Sequence, residues 1–175
     1  MLISAGGSES FEGVVPIGIG LVEGAINLTK ICQDQKPKSL TFIGTAGSYG
    51  KYKIFDVVTS AIASNIEQSF LNGNSYTPID NVVESNVEIQ RNIIVNSSNY
   101  ITTSKKQSEQ FLELKLEVEN MEFFSVLSVA KSFNIPVNGI FVITNYCYKN
   151  AHEEFLSNHN EAKKILKEII SKNSY

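Results

Sequence analysis

Short apolar, β-branched runs alternate with stretches whose apolar residues recur at helical spacing, from one end of the chain to the other. A chain patterned this way buries its strands in a central sheet and covers them with helices, the arrangement of an α/β fold. Val14–Gly20 reads as a strand entering a glycine turn. Val22–Gln33 follows with Val22, Ala25, Ile26, Leu28, Thr29 and Cys32 on a helical repeat. Further strands are expected at Ser39–Thr45, Ile54–Ala63, Arg91–Asn96, Leu114–Val118 and Val137–Thr144, with helices over Glu122–Phe133 and from about His152 to Lys172. Ser104 and Gln107 fit a capping box opening a helix through Phe111. Glu67–Glu84, rich in Asn, Ser and Gly, reads as a long loop. At 175 residues the chain is expected to form one domain over its whole length.

Charge narrows the classes of partner. The 15 basic and 18 acidic residues leave a net charge of −3, and Arg91 is the only arginine. This is a poor inventory for nucleic acid, which favours clustered basic faces, and for a guanidinium clamp on phosphate. No apolar run approaches the ~18 residues needed to cross a bilayer, so no membrane partner is expected. Met1–Gly7 lacks the basic start of a signal peptide, and the cytoplasm is the expected location. Cys32 and Cys147 lie far apart and read as reduced, buried side chains. His152 and His159 share one segment with acidic neighbours but form no metal-ligand set.

Three motifs carry chemical information. Glu122 closes Glu119-Asn120-Met121-Glu122 at the head of an apolar helix. There the helix dipole holds a carboxylate ionised, and an acceptor-only group suits the paired hydroxyls of a ribose. The alternative is a helix-end charge adding a few tenths of a kcal/mol. Gly18, Gly20 and Gly24 have the spacing G-x-G-x-x-x-G and lack the acidic residue of a dinucleotide fingerprint. They fit a tight turn that brings backbone N–H groups near a ligand. Gly44-Thr45-Ala46-Gly47 is a second strand-to-glycine turn, either an ordinary β-turn or a close backbone approach with the Thr45 hydroxyl at hand.

Taken in order, these pieces resemble the nucleoside phosphorylase superfamily, which includes purine nucleoside and uridine phosphorylases and methylthioadenosine/S-adenosylhomocysteine nucleosidases. Gly18-Ile19-Gly20 looks like the early glycine turn, and Ile43-Gly44-Thr45-Ala46-Gly47 resembles N-x-G-[ST]-[AC]-G. Phe55-Asp56-Val57-Val58 is similar to G-D-[IV]-V, Met121-Glu122 to the end of V-[ED]-M-E, and Val142-Ile143-Thr144-Asn145 to [IV]-S-D. Phe133-Asn134-Ile135-Pro136 resembles the linker into the last strand.

The resemblance implies a strongly twisted mixed sheet flanked by helices, and cleavage of the N-glycosidic bond of a purine nucleoside. It implies ribose binding by Glu122, Met121 and Thr45, and base binding by Tyr100, Ile101 and Asn145. Glu9 would activate the nucleophile, which would approach from Gly18, Gly20 and Thr45. No cofactor or metal is implied, phosphate or water serving as co-substrate, and a homo-oligomer of two or more chains is expected.

Three departures shape these expectations. The family's aspartate after the last strand is Asn145 here, which can hydrogen-bond a base but cannot deliver a proton. Asparagine fits 6-oxopurines, as in the trimeric purine nucleoside phosphorylases. Phe42 stands where hexameric phosphorylases carry a phosphate-binding arginine, and Arg91 reads as structural, so attack by an activated water is the easier chemistry. The chain is also shorter than typical members, between Leu2–Ala5 and Val14–Gly20, and Asn120 replaces the first acid of V-[ED]-M-E. These departures leave two rivals: a nucleoside-binding relative without catalysis, and an oligomeric scaffold without a ligand.

Overall fold

The computed structural model describes residues 1–89 and 92–173, so Arg91, expected to open a strand, lies outside the described residues. In chain order the elements are β1 (Leu2–Ser4), β2 (Val15–Pro16), α1 (Gly20–Gln35), β3 (Leu40–Ser48), β4 (Val57–Ser64), α2 (Gln68–Leu71) and β5 (Val82–Glu84). They continue as β6 (Asn92–Ser97), α3 (Lys105–Glu113), β7 (Val118–Asn120), α4 (Phe123–Ser132), β8 (Val137–Tyr146) and α5 (Ala151–Asn173).

The centre is the parallel pair β3 and β8, in register from Leu40 opposite Val137 to Ser48 opposite Tyr146. From there β8 pairs antiparallel with β4, β4 parallel with β6, β6 parallel with β7, and β7 antiparallel with β3. The expected mixed sheet is therefore present, and it curls until five of its strands close into a ring. Ring closure gives these strands partners on both sides and removes their edges. Register shifts between Ala46 and Gly47, and between Thr59 and Ile62, add the local bending that closure needs. Strands β1 and β2 extend the sheet beyond β3, and β5 extends it beyond β4.

Helices cover the sheet because its strands are apolar on both faces. Phe42, Phe123 and Phe141 meet beneath α4, with ring centroids 5.1–6.0 Å apart, and all three are fully buried. Burial of each such side chain stabilises the fold by about 1.5–3 kcal/mol. Ile43 and Val142 pack against Ala162, Leu166 and Ile170 of α5 in a second cluster. Tyr49 and Phe111 stack at 4.6 Å in a third, joined by Leu116 and Cys147. Cys32 and Cys147 are both free and buried, in accord with the sequence reading. No helix among the described residues is long and apolar enough to cross a membrane.

Element boundaries moved where local chemistry intervened. The expected strand Val14–Gly20 shrinks to Val15–Pro16, because Pro16 has no N–H for a ladder. The expected strand Leu114–Val118 instead begins at Val118. Leu114 ends α3, Lys115 turns left-handed at φ 64°, and Leu116 drops into the third cluster. Ser104 does cap α3, its hydroxyl accepting from Gln107 N–H. Within Glu67–Glu84 lie the short helix α2 and strand β5.

Candidate active site

A cavity of about 260 Å³ opens where the C-terminal parts of β3, β7 and β8 meet the loops after β1 and β6. Its size suits a small molecule. Seven of the expected residues line it: Glu9, Thr45, Tyr100, Ile101, Met121, Glu122 and Asn145.

Glu9 reaches the cavity because Gly6 and Gly7 turn the chain at φ 88° and 60°, closed by Glu9 N–H on the Gly6 carbonyl at 3.0 Å. The carboxylate then accepts from the Thr45 backbone N–H at 3.1 Å and from the Thr45 hydroxyl. Gly44 permits this approach, since a Cβ there would stand 2.9 Å from Glu9 Oε2. Burial raises the Glu9 pKa from 4.5 to about 7, the Glu122 charge adding to the rise and the Thr45 bonds opposing it. Lys163 behind it donates to the Ser8 carbonyl at 2.6 Å. The Glu9 side chain is thus a buried carboxyl poised near neutrality and not a solvated loop charge.

Glu122 is placed differently from the sequence expectation. Its own helix is capped by Asn120, whose Oδ1 accepts from Glu122 N–H at 2.9 Å and Phe123 N–H at 3.0 Å. The Glu122 carboxylate makes no cap bond to α4 and extends instead to the start of α1, accepting from Gly20 N–H at 2.8 Å. Burial lifts its pKa above the usual carboxylate range, with bonds from Gly20, Asn120 and Met121 opposing the rise. The helix terminus that steadies this acid is therefore α1, over a hundred residues away in sequence.

The glycine turn holds that arrangement and does not itself face the cavity. Gly18 N–H donates to the Ala5 carbonyl at 3.0 Å, Ile19 N–H to Glu23 at 3.2 Å, and Leu21 N–H to Asn99 at 2.9 Å. With Gly20 committed to Glu122, the four successive N–H groups all have protein acceptors. Gly18 and Gly20 are absent from the cavity lining, where Ile19 takes their place.

Asn145 projects from the end of β8. Its Oδ1 accepts from the Thr144 hydroxyl at 2.9 Å and its Nδ2 donates to the Tyr146 carbonyl at 3.2 Å. One amide proton is left for a ligand. Tyr100 stands at the mouth, 75% exposed, with Ile101 half-exposed beside it, so these two form a rim and not a floor. Among the lining residues outside the sequence expectation, Glu119, His152 and Phe155 carry functional side chains or a ring. Glu119 had a signal, an acid between the buried residues Val118 and Asn120. His152 and Phe155 had none, because only the docking of α5 brings them to the cavity.

Fold and site together define an α/β protein with a small cavity, lined by carboxyl groups, at the end of a curled mixed sheet. The chain belongs to the phosphorylase superfamily, whose family model matches residues 12–172. Its fold is that of the 5′-methylthioadenosine/S-adenosylhomocysteine nucleosidase of Helicobacter pylori, at TM-score 0.81 and 15% identity over 98% of this chain and 95% of that one. Futalosine hydrolase of Helicobacter pylori superposes at TM-score 0.82 and 16% identity, over 97% and 94% of the two chains. The Streptococcus pneumoniae MTA/SAH nucleosidase does so at 0.78 and 14%, over 97% and 95%. At these identities the likeness is one of fold. No curated protein matches the sequence significantly.

Proposed function

We propose that the protein hydrolyses the N-glycosidic bond of a purine nucleoside, with a 6-oxopurine as its preferred base. One observation carries this reading: the carboxyl groups of Glu9 and Glu122 line the cavity, and among its described lining residues there is no lysine or arginine. Carboxylates stabilise the positive charge that develops on a ribosyl group as its base departs. The same two groups repel a phosphate dianion, and the turn that would cradle one has its N–H groups engaged.

In this mechanism Glu122 accepts hydrogen bonds from the ribose hydroxyls through the oxygen not held by Gly20, and Met121 packs against the sugar. Tyr100 and Ile101 cover the base, and the free Asn145 amide proton reaches a purine acceptor. Glu9, held by Thr45, removes a proton from water as it attacks the anomeric carbon. A carboxyl titrating at about 7 is well matched to that task at neutral pH. The superfamily fold and its nucleosidase and hydrolase neighbours support the reaction class.

The test is base release from inosine, guanosine, adenosine and methylthioadenosine, each with and without phosphate. Equal release in both conditions, fastest with inosine or guanosine, is expected; strict dependence on phosphate overturns hydrolysis. A second reading, nucleoside binding without turnover, draws on the Asn145 amide and its lack of a transferable proton. Bound nucleoside with no base released in that assay identifies it.

We also propose that the chain assembles with itself. Ile19, Val22 and Ile26 form an exposed apolar stripe at helical spacing, 54%, 65% and 52% exposed, beside the cavity rim of Tyr100 and Ile101.

A further inference from the structure

Hydrolysis as proposed above leaves one proton unassigned. Breaking the bond between the anomeric carbon and the purine places the bonding pair on the base, which departs readily once a ring nitrogen is protonated. The Asn145 amide cannot give that proton, and Glu9 must be ionised to take one from water.

Glu119 lies across β3 from Asn145. The ladder sets Gly47 opposite Asn145 on one side and opposite Glu119 on the other. Gly47 has no side chain between them: a Cβ there would lie 3.0 Å from Asn145 Nδ2 and 3.4 Å from Glu119 Cγ. The two side chains share the space above that glycine with the Cys147 thiol, whose sulfur would stand 2.7 Å from the same Cβ, and both line the cavity.

Glu119 is also held more firmly than a cavity-wall charge requires. Thr102 N–H donates to its Oε1 at 2.9 Å and the Tyr49 hydroxyl to its Oε2 at 3.0 Å. Tyr49 is in turn oriented by Asn96 Nδ2 at 3.3 Å and is itself fully buried. Burial raises the Glu119 pKa, with bonds from Thr102, Cys147 and Tyr49 opposing the rise. The Glu119 carboxyl nonetheless lines the cavity beside Asn145, where its proton can meet a ligand.

We propose that Glu119 is the general acid of the reaction, donating its proton to the purine as the glycosidic bond breaks. This rests on the hydrolytic reading. Hydroxide from water adds to the anomeric carbon and the water's other proton passes to Glu9. The bonding pair leaves on the base, which takes the Glu119 proton. Exchange with solvent then discharges Glu9 and reprotonates Glu119, and the products are free purine and ribose.

The test compares Glu119→Gln with the unaltered protein on inosine and on 4-nitrophenyl riboside, whose leaving group departs without protonation. E119Q is expected to lose about 10²–10⁴ in kcat on inosine and to release nitrophenolate at nearly the unaltered rate, which also shows that the variant is folded. Equal losses on both substrates, or no loss on inosine, overturn the assignment. In a second arm, Asn145→Asp is added to E119Q; restored inosine cleavage is expected, and a double variant no faster than E119Q counts against it. An unaltered protein that cleaves neither substrate overturns the hydrolytic reading itself, and this inference with it.

Discussion

Glu9 and Thr45, 36 positions apart, are joined twice: one carboxylate oxygen accepts from both the backbone N–H and the hydroxyl of the threonine. The contact anchors a buried acid that folding makes harder to ionise. Its pKa rises from 4.5 to about 7, so the folded state binds its proton more tightly than the unfolded chain does. Stability from this group is full below about pH 4.5 and declines as pH rises through about 7. Glu9→Gln mimics the protonated form and keeps an acceptor for Thr45. At pH 8 it should be more stable than the unaltered protein, by on the order of 1–3 kcal/mol; at pH 4.5 the two should melt together. Thermal melts at both pH values decide the point, and an unaltered protein that is the more stable at pH 8 contradicts it.

On the hydrolytic reading the same residue sets the activity profile. If Glu9 takes the proton from water, kcat should fall as pH drops below about 7, and Glu9→Gln should lose about 10²–10⁴. A profile flat from pH 5 to 8 would remove Glu9 from this role.

Replacement of Glu122 separates binding from folding. Glu122→Ala leaves the buried Gly20 N–H without its acceptor and should cost about 1–3 kcal/mol of stability. Glu122→Gln keeps that acceptor and should melt close to the unaltered protein. On the proposed reading both lose charge-assisted bonds to the sugar, each worth about 1.5–3 kcal/mol. Base release should therefore fall at least tenfold in the Gln variant as well; full activity there would exclude Glu122 from ribose binding.

Gly44 can be tested by a single methyl group. In Gly44→Ala the new Cβ would stand 2.9 Å from Glu9 Oε2 and 2.9 Å from the Phe42 ring, both buried. Overpacking of this kind costs about 1–3 kcal/mol, and relief by moving Glu9 would break the Thr45 contact. A lowered melting temperature together with lost activity is expected; a stable and fully active variant would show that the approach of Glu9 is not needed.

The exposed stripe on α1 predicts the assembly state. Sedimentation of the unaltered chain should give a dimer or larger species, and Val22→Glu with Ile26→Glu should give monomers with a native circular-dichroism spectrum. A monomeric unaltered chain would refute the self-association proposal.

Much of this is legible in the sequence. Alternating periodicity located α1, α4, α5 and the central strands, because helix and strand repeats are local properties of the chain. The Met121-Glu122 pair and the Gly44–Gly47 turn marked two walls of the cavity, since small residues and a misplaced carboxylate stand out in an apolar sequence. The partner of Glu122 was not legible: a carboxylate at a helix head reads as belonging to that helix, and here Asn120 caps α4 while Glu122 serves α1. Nor was the use of the Gly18–Gly20 turn, whose N–H groups have acceptors supplied by Ala5, Glu23, Glu122 and Asn99.

By itself the sequence determined the fold class and pointed to seven of the residues that line the cavity, because periodicity and unusual residue types are written along the chain. Only the tertiary structure decided the protonation behaviour of Glu9, the juxtaposition of Glu119 and Asn145 over Gly47, and the closing of the sheet into a ring. These depend on burial and on contacts between strands distant in sequence. Desolvation and hydrogen bonding act through space, and no local pattern records which groups the fold will bring within reach.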